Sequence, residues 1–198
     1  MCGLSRKLFV KRVIRMDSLA ISGEQLQIQA DDKQGCFIEI LWRVKQQLDA
    51  MLSHHSRVMV VRVDLHAAGY TANNYLLSNF IRKMRKKLKR QYDLTRIGFI
   101  WVREQEKSKS QHYHFALLID ANKVRYPNKI IKTMEEIWQG WEQPKPYTPK
   151  NCYYLIHRGS LDDYQEVFYR LSYMAKERGK GYKGKTANDY SASRIKAI

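Results

Sequence analysis

The residues best suited to chemistry are two histidines two positions apart, in the sequence His112-Tyr113-His114. The apolar run that follows, residues 115–119, predicts a β-strand, and residues i and i+2 of a strand point to the same face. Apolar residues on both faces indicate a central, covered strand. Two imidazoles in such a place need a partner for their nitrogens, and a metal ion is one such partner. A His-x-His pair is also common by chance, so the hypothesis depends on the rest of the chain.

A late helix offers a nucleophile. Residues 160–177 predict a helix with one apolar stripe, and Tyr169, Tyr173 and Lys176 lie roughly opposite that stripe. Tyr173 could act as a nucleophile, with Lys176 one turn away to orient a substrate or to favour the phenolate. The simpler interpretation is a surface tyrosine, since the chain contains 13 tyrosines.

The remaining elements must bring these residues together. A β-branched strand at 57–66 carries Arg62, Asp64 and His66 on one face. The mixed order of strands and helices, with hairpin connections, predicts an α+β fold with an antiparallel sheet and helices mainly on one face. Further strands are predicted at 97–104, 112–119 and 153–157, and further helices at 37–52, 75–92 and 129–141.

The composition along the chain divides it into three predicted segments. Residues 1–35 are an N-terminal extension of unclear role, and residues 36–178 form the main domain. Residues 179–198 are predicted to be a basic, flexible tail, because glycines alternate with lysines at its start.

The charge points to a polyanionic partner. Lys and Arg number 36 against 19 Asp and Glu, which gives a formal net charge of +17. Nucleic acid is the simplest such partner. The three cysteines are far apart, which disfavours structural zinc and a disulfide framework. No stretch approaches the ~20 apolar residues of a membrane span.

The helix at 75–92 carries seven cations with no acidic residue between them, which predicts a surface that follows phosphates. A solvated helix face is the alternative. We add Arg62, near the end of its strand, to the predicted DNA contacts. The predicted contacts on the helix are Arg82, Lys83, Arg85, Lys86, Lys87, Lys89 and Arg90.

Taken together, three motifs resemble those of the HUH endonucleases, in order and type. They are Arg62-Val63-Asp64-Leu65-His66, His112-Tyr113-His114 and Tyr173-Met174-Ala175-Lys176. The resemblance covers roughly residues 57–180. It is closest to rolling-circle replication initiators of the inovirus type and to the YagK/YfjJ-like domains of prophage elements.

The resemblance implies a ferredoxin-like palm and a divalent ion, Mg²⁺ or Mn²⁺, on His112, His114 and a third ligand. We choose Glu104 for that ligand. If the two strands pair so that the numbers of facing residues sum to 216, Glu104 lies opposite His112. A shift of this register by one residue would place Arg103 on that face instead. Glu106 is the reserve candidate and Asp64 a more distant one.

The implied reaction is metal-assisted transesterification of single-stranded DNA, with Tyr173 forming a 5′-phosphotyrosine link and freeing a 3′-hydroxyl. Tyr169 is spaced as a second catalytic tyrosine would be, but Ser172 stands where its lysine would be. The implied partners are single-stranded or origin DNA, a host helicase and a polymerase, without a membrane or a small-molecule cofactor. The implied location is the cytoplasm, for a bacterial, phage or mobile-element protein.

Two alternatives remain open. One is a non-catalytic, basic DNA-binding protein, a degenerate initiator. The other is a single-tyrosine transposase with the same fold and covalent chemistry. A zinc deaminase is disfavoured, because His-x-Glu and Pro-Cys-x-x-Cys are missing.

Overall fold

The computed structural model describes residues 12–105, 110–180 and 187–198. A 3-10 turn, Tyr173–Ala175, directly follows the last helix. The helices are α1 (Ile38–His54), α2 (Tyr75–Tyr92), α3 (Asn128–Gln139) and α4 (Leu161–Ser172). The strands are β1 (Val13–Ile14), β2 (Ser18–Ile21), β3 (Glu24–Gln27), β4 (Cys36–Phe37), β5 (Arg57–His66), β6 (Ile97–Glu104), β7 (His112–Asp120), β8 (Tyr153–His157) and β9 (Tyr190–Ala192).

The centre of the fold is a five-stranded antiparallel sheet in the order β8-β5-β7-β6-β9. Its first four strands follow the chain order β5-α2-β6-β7-α3-β8, with β5 between β7 and β8. This is the ferredoxin-like arrangement, in which each strand-helix-strand crossover spans one intervening strand. The predicted α+β class and antiparallel sheet are therefore confirmed.

Helices cover both faces of this sheet. The face formed by even-numbered residues of β5, β6 and β7, here named the site face, packs against α1 and α4. The odd-numbered face, here named the distal face, packs against α2 and α3. The prediction that helices lie mainly on one face is wrong. The strands are apolar on both faces, so each face has to be covered.

The two chain ends extend this core. The β2–β3 hairpin packs on α4, and Ile21, Leu26 and Ile28 are buried with α1 and α4. At the other end β9 pairs with β6 at the sheet edge. The tail predicted from residue 179 onward therefore contains an ordered strand, whereas residues 181–186 lie outside the described residues.

The helix that carries the predicted nucleophile is shorter than expected. Ser160 caps α4, as its side chain accepts a hydrogen bond from the Asp163 backbone N–H. The α-helix ends at Ser172 and continues as the 3-10 turn, after which Lys176 is extended.

Among the described residues, no helix is long and apolar enough to cross a bilayer.

Candidate metal and nucleophile site

The register of three strands brings the predicted ligands together. In the β6–β7 pair Glu104 lies opposite His112 and Val102 opposite His114, which is the predicted register. In the β5–β7 pair Asp64 lies opposite His114 and His66 opposite His112. All of these positions belong to the site face, at the end of the sheet where β5 and β6 end and β7 begins.

Glu104, His112 and His114 form a cluster with metal-ligand geometry. Their donor atoms all lie within 4.8 Å of one another. Glu104 Oε2 is 3.1 Å from His114 Nε2 and 3.5 Å from His112 Nε2. Adjacent ligands of an octahedral ion with bonds of about 2.1 Å are separated by roughly 3 Å, so these spacings suit a divalent ion.

His114 Nε2 is a buried nitrogen that makes no hydrogen bond within the described part of the chain, although Glu104 Oε2 lies 3.1 Å away. A buried imidazole nitrogen without a partner is destabilising unless something binds it. The donor set of two imidazoles and one carboxylate, with room for further ligands, suits Mn²⁺ and accepts Mg²⁺. The residues present therefore fit the implied metal.

Lys180 anchors the carboxylate of this cluster. Its ammonium, whose side chain is fully buried, lies 2.6 Å from Glu104 Oε1 and also donates to the Lys176 carbonyl. Because Lys180 binds Oε1, the other oxygen is left facing the histidines. Burial alone would raise the pKa of Glu104, but both imidazoles and Lys180 outweigh burial and hold that pKa well below its usual range.

Asp64 holds the opposite side of the His114 ring. Its Oδ1 lies 2.7 Å from His114 Nδ1. Burial alone would lower the pKa of His114, but the carboxylates of Asp64 and Glu104 outweigh burial and raise that pKa. Asp64 is thus an orienting group behind His114 rather than a third ligand, since it binds the ring nitrogen that points away from Glu104.

Tyr173 lies against the same histidine. Its ring meets the His114 ring edge-on, with 5.4 Å between centroids. The Arg62 guanidinium lies 4.6 Å from the Tyr173 centroid and 3.5 Å from both oxygens of Asp64. Arg62 is only 6% exposed. Its burial does not support the predicted role of Arg62 as a DNA contact, and its contacts make it a support for Tyr173 and Asp64.

The other predicted site residues divide into two groups. Lys176 lies near the predicted nucleophile, with its Nζ 5.8 Å from the Tyr173 centroid. Tyr169 lies beside the β2–β3 hairpin, away from the histidines, in a groove that Gln27, Gln29 and Lys176 also line. Among the described residues, the tyrosine ring that contacts the histidine pair is that of Tyr173.

The basic face of α2 lies on the other side of the sheet. Since α2 packs on the distal face, its cations are separated from the histidines by the full thickness of the sheet. The predicted surface and the predicted metal cluster are therefore not parts of one site. Glu106, the reserve ligand, lies outside the described residues.

One contribution was missed from the sequence. Lys180 falls in the predicted flexible tail, and nothing in its local sequence indicates an ion pair with Glu104. The period-two spacing of Arg62, Asp64 and His66 predicts that they share one strand face. In the structure His66 stacks on His112, with centroids 5.4 Å apart.

One further sequence motif resembles a phosphate-binding loop but does not lie between the strand and the helix that flank such a loop. Residues 179–186 read Gly-Lys-Gly-Tyr-Lys-Gly-Lys-Thr, which matches the Gly-x4-Gly-Lys-Thr pattern of phosphate-binding loops. Such a loop follows a strand and opens a helix. Here the described residues before it include the 3-10 turn, and those after it form β9. Residues 181–186 themselves are outside the described residues.

Comparison with known proteins places the chain in a family. A family model described as the YagK/YfjJ C-terminal domain matches residues 21–189. A relative from Escherichia coli (strain K12), described as uncharacterized protein YfjJ, is 24% identical over 180 residues, with 70% of this chain and 86% of the relative covered. The family match spans four strands of the central sheet and ends just before β9.

Proposed function

The chain belongs to the YagK/YfjJ C-terminal domain family, and we propose that it is a metal-dependent single-stranded DNA endonuclease and strand transferase of the HUH type. Within that class we assign it to the rolling-circle replication initiators. One observation carries the proposal. A single sheet face gathers two imidazoles and the Glu104 carboxylate within 4.8 Å, with the Tyr173 ring against His114.

Glu104, His112 and His114 would hold a Mg²⁺ or Mn²⁺ ion. When bound, such an ion polarises a phosphate oxygen and stabilises negative charge that develops on the phosphoryl group. Asp64 keeps the His114 ring turned so that Nε2 faces the ligand cluster. Lys180 keeps one oxygen of Glu104 turned away from the cluster and the other turned toward it.

Tyr173 is the nucleophile of the proposed reaction. Its phenolic oxygen forms a bond to phosphorus while the bond from phosphorus to the 3′-oxygen breaks, so the DNA 5′-phosphate becomes linked to tyrosine. The phenolic proton is given up and the departing oxygen gains one, which leaves a 3′-hydroxyl. The reverse reaction, with a 3′-hydroxyl as nucleophile, reseals the strand. Arg62 supports the tyrosine ring, and the Lys176 ammonium lies 5.8 Å from the ring centroid, where it can orient a phosphate.

The partners follow from this chemistry. The substrate would be single-stranded DNA, or origin DNA opened to expose a single strand, with a host helicase and polymerase extending the freed 3′-end. We place this activity in the cytoplasm of a bacterium that hosts the phage or mobile element.

A covalent-adduct experiment tests the proposal. The full chain is incubated with Mn²⁺ and a pool of labelled single-stranded oligonucleotides of random sequence, and denaturing gels reveal a protein–DNA band. We expect the band from the wild type and from Tyr169→Phe, and no band from Tyr173→Phe or with EDTA. Tyr169→Phe is the matched control, because it removes a hydroxyl from the same helix without touching the histidines.

Two results would reject the assignment. A band that persists in Tyr173→Phe places the nucleophile elsewhere. The absence of a band from the wild type, with DNA binding retained, favours the non-catalytic DNA-binding protein. A single-tyrosine transposase would also form the adduct, so it is distinguished by its requirement for paired element ends rather than by this experiment.

A further inference from the structure

A second charged surface lies on the far side of the sheet from the candidate site. The outward face of α2 exposes Arg82, Lys83, Arg85, Lys86, Lys89 and Arg90. Lys87, which is partly buried, pairs with Glu136 of α3 at 2.9 Å. Among ion pairs between described residues, Lys87 is the α2 cation with a carboxylate partner.

Neighbouring carboxylates are already paired with lysines outside α2. Asp93, just after the helix, binds Lys123 at 2.8 Å, and Glu135 of α3 lies 3.8 Å from Lys145. Lys83 is held over the Trp141 ring at 5.2 Å. The surface therefore keeps its positive charge, because nearby acidic groups do not neutralise it.

The shape of this surface selects among polyanions. At 100° per residue the exposed cations span an arc of roughly half the helix circumference. The exposed cations lie between Arg82 and Arg90, about 12 Å along the helix axis, which matches roughly three to four base pairs of duplex. A convex helix of about 10–12 Å diameter fits the major groove, which is about 12 Å wide, and cations on both sides of the arc then face the two phosphate backbones.

We propose that the outward face of α2 is a docking surface for double-stranded DNA, separate from the single-strand site at Tyr173. The two surfaces lie on opposite faces of one sheet, so one molecule can hold duplex on α2 while a single strand lies at the histidines. This surface binds through phosphates, and its affinity does not depend on a particular DNA sequence.

The test removes three positive charges from the middle of the outward face of α2. The variant R82Q/K86Q/K89Q is compared with the wild type by fluorescence anisotropy, using a duplex of about 20 base pairs and one of its single strands. EDTA is present, so neither cleavage nor the metal site enters the measurement. Glutamine is a good helix former, which favours retention of α2.

We expect duplex affinity near physiological salt to fall roughly tenfold or more, and the slope of log K against log salt to shrink by about 2 to 3. Single-strand affinity should change much less. The matched control, R43Q/R194Q/K196Q, removes three exposed cations from α1 and the segment after β9, and it should bind duplex within about twofold of wild type. The charge-preserving variant R82K/K86R/K89R should also retain binding.

Three results would overturn the proposal. Equal losses of duplex affinity in R82Q/K86Q/K89Q and in the control variant would mean that net charge alone governs binding. Unchanged duplex affinity would mean that α2 does not contact duplex. A loss for the single strand with duplex binding retained would assign the surface to single-stranded DNA. Because EDTA excludes cleavage, none of these results depends on whether Tyr173 forms an adduct.

Discussion

The site face and the distal face of the sheet differ at the same level of the same strands. Where β5 and β6 end and β7 begins, the site face places Asp64, Glu104 and His114 together, all buried. One residue along, the distal face places Val63, Arg103 and Tyr113, with Trp101 edge-on to Tyr113. The buried Arg103 guanidinium donates hydrogen bonds to the Thr71 and Asn73 carbonyls. Burying charged groups is costly unless they are paired, and on the site face Asp64 is paired with His114 and Glu104 with Lys180.

The two faces of the sheet therefore differ in what fills them. The distal face is filled by aromatic packing, with Trp138 edge-on to Phe80 at 5.5 Å and to Tyr113 at 6.5 Å. Trp138 also donates a hydrogen bond to the His66 carbonyl at 2.9 Å. The distal packing therefore supports the strand that carries Asp64 and His66. Four predictions test this difference between the two faces, from the largest expected effect to the smallest.

Trp138→Ala should have the largest effect on folding. Truncating this fully buried ring leaves a cavity, and we expect the free energy of unfolding to fall by about 3–5 kcal/mol. Denaturant unfolding measures the change, and Trp138→Phe should cost clearly less because it keeps most of the volume. A loss below about 1 kcal/mol in Trp138→Ala would contradict a structural role for the distal face.

The Glu104–Lys180 pair tests the cost of charge on the site face. Glu104→Leu alone leaves a buried ammonium without its carboxylate, and we expect the metal-free protein to lose about 3 kcal/mol. The double variant Glu104→Leu/Lys180→Met should recover to within about 1 kcal/mol of the wild type, because both charges are gone. Unfolding free energies of the wild type, Glu104→Leu, Lys180→Met and the double variant, all measured in EDTA, give the coupling. Independent, additive effects would refute the buried pair.

Metal binding should stabilise the fold through the site face. At a Mn²⁺ concentration of 100 times Kd the expected gain is about 2.7 kcal/mol. For a chain of this size that gain raises Tm by roughly 5–10 °C. His112→Gln should lose most of the shift, whereas Tyr173→Phe should keep it because the phenol is not a predicted ligand. An equal Mn²⁺ shift in His112→Gln would place the metal elsewhere.

Asp64→Asn should have the smallest effect. The amide keeps the shape of the side chain but orients His114 less firmly, and loss of such an orienting carboxylate lowers metal affinity on the order of 10–100-fold. Calorimetric titration with Mn²⁺ measures the affinity. Asp163→Asn, whose carboxylate binds His157 far from the ligands, is the control and should leave affinity unchanged. Complete loss of metal binding in Asp64→Asn would instead make Asp64 a ligand.

Much of the fold was determined by the local sequence. The bounds predicted for β5, β6, β8 and α2 match those observed, because β-branched runs and a 3.6-residue apolar stripe each admit one regular structure. The Glu104–His112 register was also predictable, since a one-residue slip would turn Arg103 toward the site face. The ligand candidates and Tyr173 thus followed from spacing together with the resemblance to the HUH endonucleases.

The tertiary structure decided which side of the sheet each element covers and which groups support the ligands. Right-handed crossovers carry α2 and α3 to the same face, which separates the basic helix from the histidines, and α1 and α4 then cover the other face. The partnership of Lys180 with Glu104 and the burial of Arg62 beneath Tyr173 depend on where the chain returns after α4. Such long-range contacts leave no periodic signal in the sequence, because they join residues whose local patterns are independent.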